Sequence, residues 1–132
     1  MTLDRMLERG EGGGASLAQV SYSLAEGSWG AVADQEYRYR PVVSPGGYRW
    51  CPREEEQVLL LHTGDGDLCA GTAGDSRGLA PGEVEITGGG GGSIRLMADG
   101  SVAIAGAGGG LLELRPDGTV SINGQLFPAA AG

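Results

Sequence analysis

The chain has one histidine and two cysteines in 132 residues, so the residue types that most often bind metals are scarce. Neither Cys51 nor Cys69 has a second cysteine or histidine at the spacing of a zinc site. No metal and no cofactor is therefore expected. In a reducing compartment both cysteines are predicted to be buried thiols, and whether they pair is left open.

The sequence suggests no nucleophilic partner for the single histidine, His62, since it shows neither a serine in a Ser-Gly elbow nor a cysteine placed to pair with it. The pattern favours a histidine at the end of a strand. No catalytic residue is assigned, and no enzyme activity is expected.

Long apolar runs and basic patches are also missing. No stretch approaches the ~18 apolar residues of a membrane-spanning helix. The first residues include Asp4 and Glu8 and lack the apolar region of a signal peptide, so the chain is expected to be made in the cytoplasm and to leave it only within an assembly. The net charge of −8, without a cationic patch, argues against nucleic acid as a partner.

Glycine is the residue in excess, with 27 of 132 positions against a usual share of ~7%. There is no Gly-x-y period, which excludes collagen. The glycines form clusters, at 88–92 and 108–110, between β-branched and leucine-rich runs. This placement predicts tight turns between short strands.

The composition shifts along the chain predict an all-β protein in four parts. Residues 1–15 are expected to form a short helix, with Leu3, Met6 and Leu7 on one stripe, and a glycine-rich link. Residues 16–80 contain several short strands punctuated by Gly and Pro, and an OB-like barrel fits their number and size. Residues 81–127 form a strand repeat, and 128–132 a short tail.

An aromatic-rich stretch lies within the second part. It has two interpretations, which are structural packing and a platform on which carbohydrate rings could stack. Packing is favoured, and the role of residues 29–50 is left open. The residues concerned are Trp29, Tyr37, Tyr39, Tyr48 and Trp50.

The third part repeats with a period of 18 residues. Segments 82–88, 100–106 and 118–124 align, and each unit is predicted to contain two strands of about five residues joined by an Asp-Gly turn. Alternate positions in the strands are apolar, which directs them all to one face. These positions are Val84, Ile86, Ile94, Leu96, Val102, Ile104, Leu112, Leu114, Val120 and Ile122.

Nothing else in the sequence is available to cover this apolar face, because no amphipathic helix follows the repeat. Burying such side chains is worth about 1.5–3 kcal/mol each, so self-association is expected. A two-fold sandwich would hide the face but leave strand edges open. Three copies wound about one axis are therefore preferred.

Several segments resemble phage baseplate assembly protein V and the Mu-type central spike proteins. The matching residues are Glu56–Leu60, then Gly66–Gly71, then Gly-Leu-Ala-Pro-Gly-Glu-Val at 78–84. The run Asp4-Arg5-Met6-Leu7 ahead of a glycine-rich step is similar as well. The resemblance covers most of the chain, and the repeat is its most specific part.

The resemblance implies a homotrimer. Its OB-like domain would lie in the baseplate hub or tail tube of a phage or tailocin, and its triple-stranded β-helix would pierce the host cell envelope. Several members of the family hold an apical iron through a His-x-His pair, which this sequence lacks. No apical metal is expected, and Leu126 and Phe127 are predicted to close the apex by apolar contact.

Two rival functions remain at this stage. The first is a trimeric short tail fibre, or receptor-binding tip, that recognises surface glycan through the aromatic stretch. The end of the sequence eight residues after Gly124 favours the spike, since a fibre would be expected to carry an adhesive head. The second is a murein hydrolase, which would need a further domain with paired carboxylates in a cleft.

Overall fold

The computed structural model describes residues 14–130, which form two compact units divided between Asp75 and Ser76. Each unit contains one antiparallel sheet, and the described residues include no helix. The predicted all-β class is therefore confirmed. The helix predicted near the start of the chain lies outside the described residues, whereas Gly14 and Ala15 of the predicted link already belong to the first strand.

The sheet of the first unit has five strands and forms a half-barrel. The strand order is β3-β2-β1-β4-β5, so the longest strand, β1, is central. The strands are β1 (Gly14–Ser23), β2 (Trp29–Val32), β3 (Glu36–Arg38), β4 (Gln57–Thr63) and β5 (Gly66–Thr72).

The segment that follows β3 crosses to the opposite edge of this sheet. Val42 and Cys69 form a parallel bridge there. The Cys69 N–H donates to the Pro41 carbonyl oxygen at 2.8 Å, and the Val43 N–H donates to the Cys69 carbonyl oxygen at 2.8 Å. The chain thus connects the two edge strands of the half-barrel.

The core of the first unit follows from alternation along the strands. In β1 the side chains of Ala18 and Val20 are buried, while those of Leu17 and Gln19, which alternate with them, are exposed, as a period of two requires. Val42 and Trp50 pack against the core. Its members are Ala18, Val20, Trp29, Ala31, Tyr37, Val58, Leu60 and Cys69.

The two cysteines differ in environment. Cys69 is buried, as predicted, and burial raises the pKa of its thiol. Cys51 is exposed, so the prediction of a second buried thiol is wrong. It lies after the irregular segment that follows β3, where no strand alternation directs it inward. Both thiols are free, so they do not pair with each other.

The second unit is a six-stranded sheet in which every strand pairs with its neighbours along the chain. Five successive strands begin nine residues apart. The strands are β6 (Val84–Thr87), β7 (Ser93–Leu96), β8 (Val102–Ala105), β9 (Leu111–Leu114), β10 (Val120–Ile122) and β11 (Gln125–Phe127).

The turns of this sheet repeat every nine residues as well. The N–H of residues 88, 97, 106 and 115 donates in each turn to the carbonyl oxygen four residues later. The fourth residue of each turn is a glycine with positive φ, at Gly91, Gly100, Gly109 and Gly118. In the two Asp-Gly turns, Asp99 accepts the Ser101 N–H and Asp117 accepts the Thr119 N–H. The predicted Asp-Gly turns therefore exist, and each 18-residue repeat consists of two nine-residue strand-and-turn units.

The positive φ of these turns makes a prediction that two adjacent glycines can test. Gly109 has φ of 97° and Gly108 does not lie in that region, while an added Cβ meets no atom within 4 Å at either position. We expect Gly109→Ala to lower the free energy of unfolding of the second unit by about 1–2 kcal/mol, because a side chain is strained at positive φ. Urea denaturation would measure this loss.

Gly108→Ala is the matched control. It should leave stability unchanged or raise it by about 0.4–1 kcal/mol, because alanine restricts the unfolded chain without straining the turn. Equal effects of the two substitutions would contradict the turn geometry.

Candidate functional site

The apolar face of the second unit consists of two rows of side chains that run across all its strands. Directly paired residues of an antiparallel sheet share a face, so the register defines each row. The first row is Val84, Leu96, Val102, Leu114, Val120 and Phe127. The second is Ile86, Ile94, Ile104, Leu112 and Ile122, and it ends at Gln125.

All ten residues predicted for the trimer core lie on this one face, and none of them is buried within a single chain. Val84 and Ile86 at the start are 48% and 49% exposed, and Ile122 near the end is 48% exposed. Contiguous exposed apolar surfaces of this kind are typical of sites that contact another protein, a membrane or a ligand. We refer to the eleven apolar side chains of the two rows as the apolar face.

The two residues predicted to close the apex lie on opposite sides of β11. Phe127 pairs with Val120 and continues the apolar face, whereas Leu126 pairs with the buried Ser121 of the other face. Closure by Phe127 remains a prediction. Leu126 does not share an apolar surface with it on this strand.

The opposite face of the sheet, which we call the polar face, carries most of the polar side chains together with Leu111 and Leu126. It also holds the segment that leads into β6. The Arg95 guanidinium donates to Glu83 Oε1 at 2.8 Å and to the Gly78 carbonyl oxygen at 2.7 Å. Glu83 also accepts the N–H of Ala80 at 2.8 Å and of Ala98 at 3.0 Å. These bonds fasten residues 78–83 to the polar face, which leaves the apolar face uncovered by them.

Glu83 is the carboxylate with the most strongly shifted acidity in this unit. The hydrogen bond from Arg95, followed by the backbone N–H groups of Ala80 and Ala98, lowers the pKa of Glu83 from 4.5 to about 2. All three donors favour the ionised form. The pKa values of Asp99 and Asp117 are lowered too, by their bonds with Ser101 and Thr119.

A second candidate site lies in the first unit, around His62. Ser16 Oγ lies 2.9 Å from His62 Nε2, and Asp67 Oδ1 lies 2.8 Å from His62 Nδ1. Ser16 comes from β1, His62 from β4 and Asp67 from β5, which are adjacent strands. We call these three residues the His62 cluster. A serine, a histidine and a carboxylate in this order have the connectivity of a nucleophilic triad.

Other side chains support the His62 cluster. The ring of Tyr37 is tilted against the imidazole with 5.9 Å between centroids, and Arg40 Nε lies 3.7 Å from Asp67 Oδ2. The Tyr37 hydroxyl donates to Asp34 Oδ1 at 2.7 Å, which lowers the pKa of Asp34 and raises the pKa of Tyr37. His62 lies near the end of its strand, as predicted, but its partners Ser16 and Asp67 were missed.

The aromatic stretch is divided between the core and the surface. Trp29 and Tyr37 are only 3% and 2% exposed and belong to the core, which fits the packing interpretation. Tyr39 and Tyr48 are exposed, and Trp50 packs against the core. Trp50 also borders a shallow cleft that is lined by Glu26, Gly27, Trp29, Val42, Arg49, Cys51 and Pro52.

Two searches of the described residues for other kinds of site gave nothing. Within residues 14–130, no three His, Cys, Asp or Glu side chains are grouped as metal ligands would be. The same residues contain no helix with the length and apolarity to cross a membrane. A comparison of the sequence with models of protein families finds no match, and a search of curated proteins finds none either.

The lowered pKa of Glu83 predicts a pH dependence of stability. Because the pKa is 4.5 for the free side chain and about 2 in the folded chain, the contribution of this carboxylate is complete above 4.5 and is lost as the pH falls toward 2. We expect Glu83→Gln to show a smaller loss of unfolding temperature over this range than the unsubstituted chain, since it has no carboxylate to protonate.

Glu113→Gln is the control, because it removes a carboxylate from the polar face of β9 and leaves the Arg95 contacts intact. Melting curves recorded by circular dichroism at several pH values would measure both variants. If Glu83→Gln and the unsubstituted chain lose stability in parallel, the bond network around Arg95 does not form in solution.

Proposed function

We propose that the chain is the central spike of a contractile injection particle, a phage baseplate or a tailocin, and that it acts as a homotrimer. The observation that carries the proposal is the apolar face, which crosses all six strands of the second unit and is uncovered within one chain. The resemblance to baseplate assembly protein V supports the same role, which is mechanical and needs no catalysis.

The dimensions of the sheet support three copies. Strands of four residues are about 13 Å long, and six strands at their usual spacing extend about 24 Å. The apolar face is therefore a narrow strip. Two such sheets packed face to face would leave both long sides of the strip open to water, whereas three sheets around an axis enclose it. Half-exposed apolar side chains would then form one common core.

The proposed trimeric region is a triple-stranded β-helix in which each chain supplies one side of a three-sided prism. The strands of each chain pair with one another, and their natural twist would wind the three sheets around the common axis. The strands lie across the axis, so their hydrogen bonds run along it. A compressive load on the tip would press the strands together and would not peel them apart.

The first unit is proposed to be an OB-like domain that holds the spike in the baseplate hub or tail tube. In an OB barrel the first strand pairs with the second and the fourth, and the third runs parallel to the fifth. Here β1 pairs with β2 and β4, and the segment after β3 bridges β5 in parallel. This connectivity supports the assignment. The glycan-binding fibre has less support, because two of its five aromatic residues are buried in the core.

Association through the apolar face can be tested with two neighbouring residues of β8. Ile104 belongs to the apolar face, and Ala103 lies on the polar face between Arg95 and Glu113. We expect the unsubstituted chain to have about three times the 13.4 kDa mass of one chain in light scattering. Ile104→Asp should abolish the trimer, because it places a charge in the shared core. Ala103→Asp, with the same charge on the other face, should preserve it.

A folded monomer of the unsubstituted chain, or equal effects of the two substitutions, would contradict the trimer. The role in a particle needs a separate measurement. Antibodies against the chain should label the tip of contractile particles from producing cells, and particles that carry Ile104→Asp should lose infection or killing. Labelling elsewhere on the particle would point to the fibre or to another component.

A further inference from the structure

We propose that Ser16 is an activated nucleophile that reacts with activated esters, and that His62 is its general base. The inference does not depend on the spike function, since it concerns only the first unit. It rests on the order and the distances of the His62 cluster, in which both nitrogens of one imidazole have a partner below 3 Å.

The hydrogen-bond pattern assigns a role to each atom of the cluster. Asp67 accepts a hydrogen bond from Nδ1–H in the assigned tautomer, which leaves the Nε2 lone pair directed at the Ser16 hydroxyl. In this tautomer Nε2 accepts the Ser16 proton as Oγ attacks an electrophile. Asp67 is a positioning residue, because it holds the ring and stabilises the imidazolium that forms.

The three strands that carry the cluster are paired side by side, with β4 between β1 and β5. β1 and β4 pair with Gly14 opposite His62 and Ser16 opposite Leu60, while His62 pairs directly with Asp67 of β5. The Tyr37 ring contacts the imidazole from a further strand. The paired backbones set the positions of the three residues, and their side chains are already within hydrogen-bond distance, so little movement is needed to reach the reactive geometry.

The cluster is also open to small reagents. Ser16 is half-buried, and the His62 and Asp67 side chains are 31% and 20% exposed. A nucleophile at the surface must be reachable by the compound it attacks, and these exposures allow it.

The reaction is the transfer of an acyl group to Ser16. Oγ forms a bond to the carbonyl carbon of an aryl ester, its proton moves to Nε2, and the bond from that carbon to the aryl oxygen breaks. The proton then passes from Nε2 to the departing phenolate. Water would then form a bond to the acyl carbon as Nε2 takes its proton. The bond from that carbon to Oγ would break, the proton would pass from Nε2 to Oγ, and the acid would leave. The cluster supplies a nucleophile and a base, which suits esters of small acids with good leaving groups.

Labelling of the full-length chain with a fluorophosphonate tests the proposal. We expect one adduct per chain, on Ser16, as measured by intact mass and peptide mapping, and none in Ser16→Ala. His62→Gln and Asp67→Asn should each slow labelling by about 100-fold or more. Ser21→Ala is the matched control on the same strand, where the hydroxyl donates to the Gly30 carbonyl oxygen, and it should label at the unsubstituted rate.

The pH profile separates a base from a structural contact. The labelling rate of the unsubstituted chain should depend on pH, and this dependence should be lost in His62→Gln. Circular dichroism at each pH would show that the variants remain folded. The proposal is overturned if folded chain leaves Ser16 unlabelled, or if folded His62→Gln labels at the unsubstituted rate.

Discussion

The second unit depends on one constraint, which is that eleven apolar side chains from six strands emerge on the same side of a single sheet. The number of residues in each turn determines this. Each of the four turns between β6 and β10 contains five residues, so even-numbered residues stay opposite one another. All ten predicted core residues have even numbers. A shift of one residue in any of these turns would send the next strand's apolar side chains to the polar face.

The last turn has an even number of residues, so the pairing changes there. Asn123 and Gly124 form a connection of two residues, so even-numbered residues of β10 pair with odd-numbered residues of β11. Phe127 therefore continues the apolar face and Leu126 leaves it, although the two are adjacent in a uniformly apolar run. Counting turn residues in the sequence could have separated them. The sequence shows a period of 18 residues and not nine because alternate turns differ in sequence. The turn at 106–110 contains only glycine and alanine, whereas the turns at 97–101 and 115–119 contain Asp-Gly. Only every second strand-and-turn unit is therefore similar in sequence.

The strands of the first unit were predictable where alternation or an apolar run was clear, as at Leu17–Tyr22 and Gln57–His62, and less so around Tyr37, where short strands and a bend replace a regular pattern. The His62 cluster was not predictable. Ser16 and His62 are 46 residues apart, and their contact depends on the register of β1 against β4, which no local motif encodes. Asp67 follows His62 across a tight hairpin, so that half of the cluster had a local signal in the Thr63–Gly66 turn.

The two units solve the burial of apolar surface in different ways. The first closes a core within one chain, with Val58 and Leu60 completely buried, and so has the means to be stable alone. The second has many glycines, whose ordering is costly, and no covering layer within one chain, so pairing of its strands alone gains little. In the proposed trimer, folding and association of this unit would be linked by mass action. The network of Glu83 and Arg95 is compatible with that proposal, because it holds residues 78–83 on the polar face and leaves the apolar face uncovered.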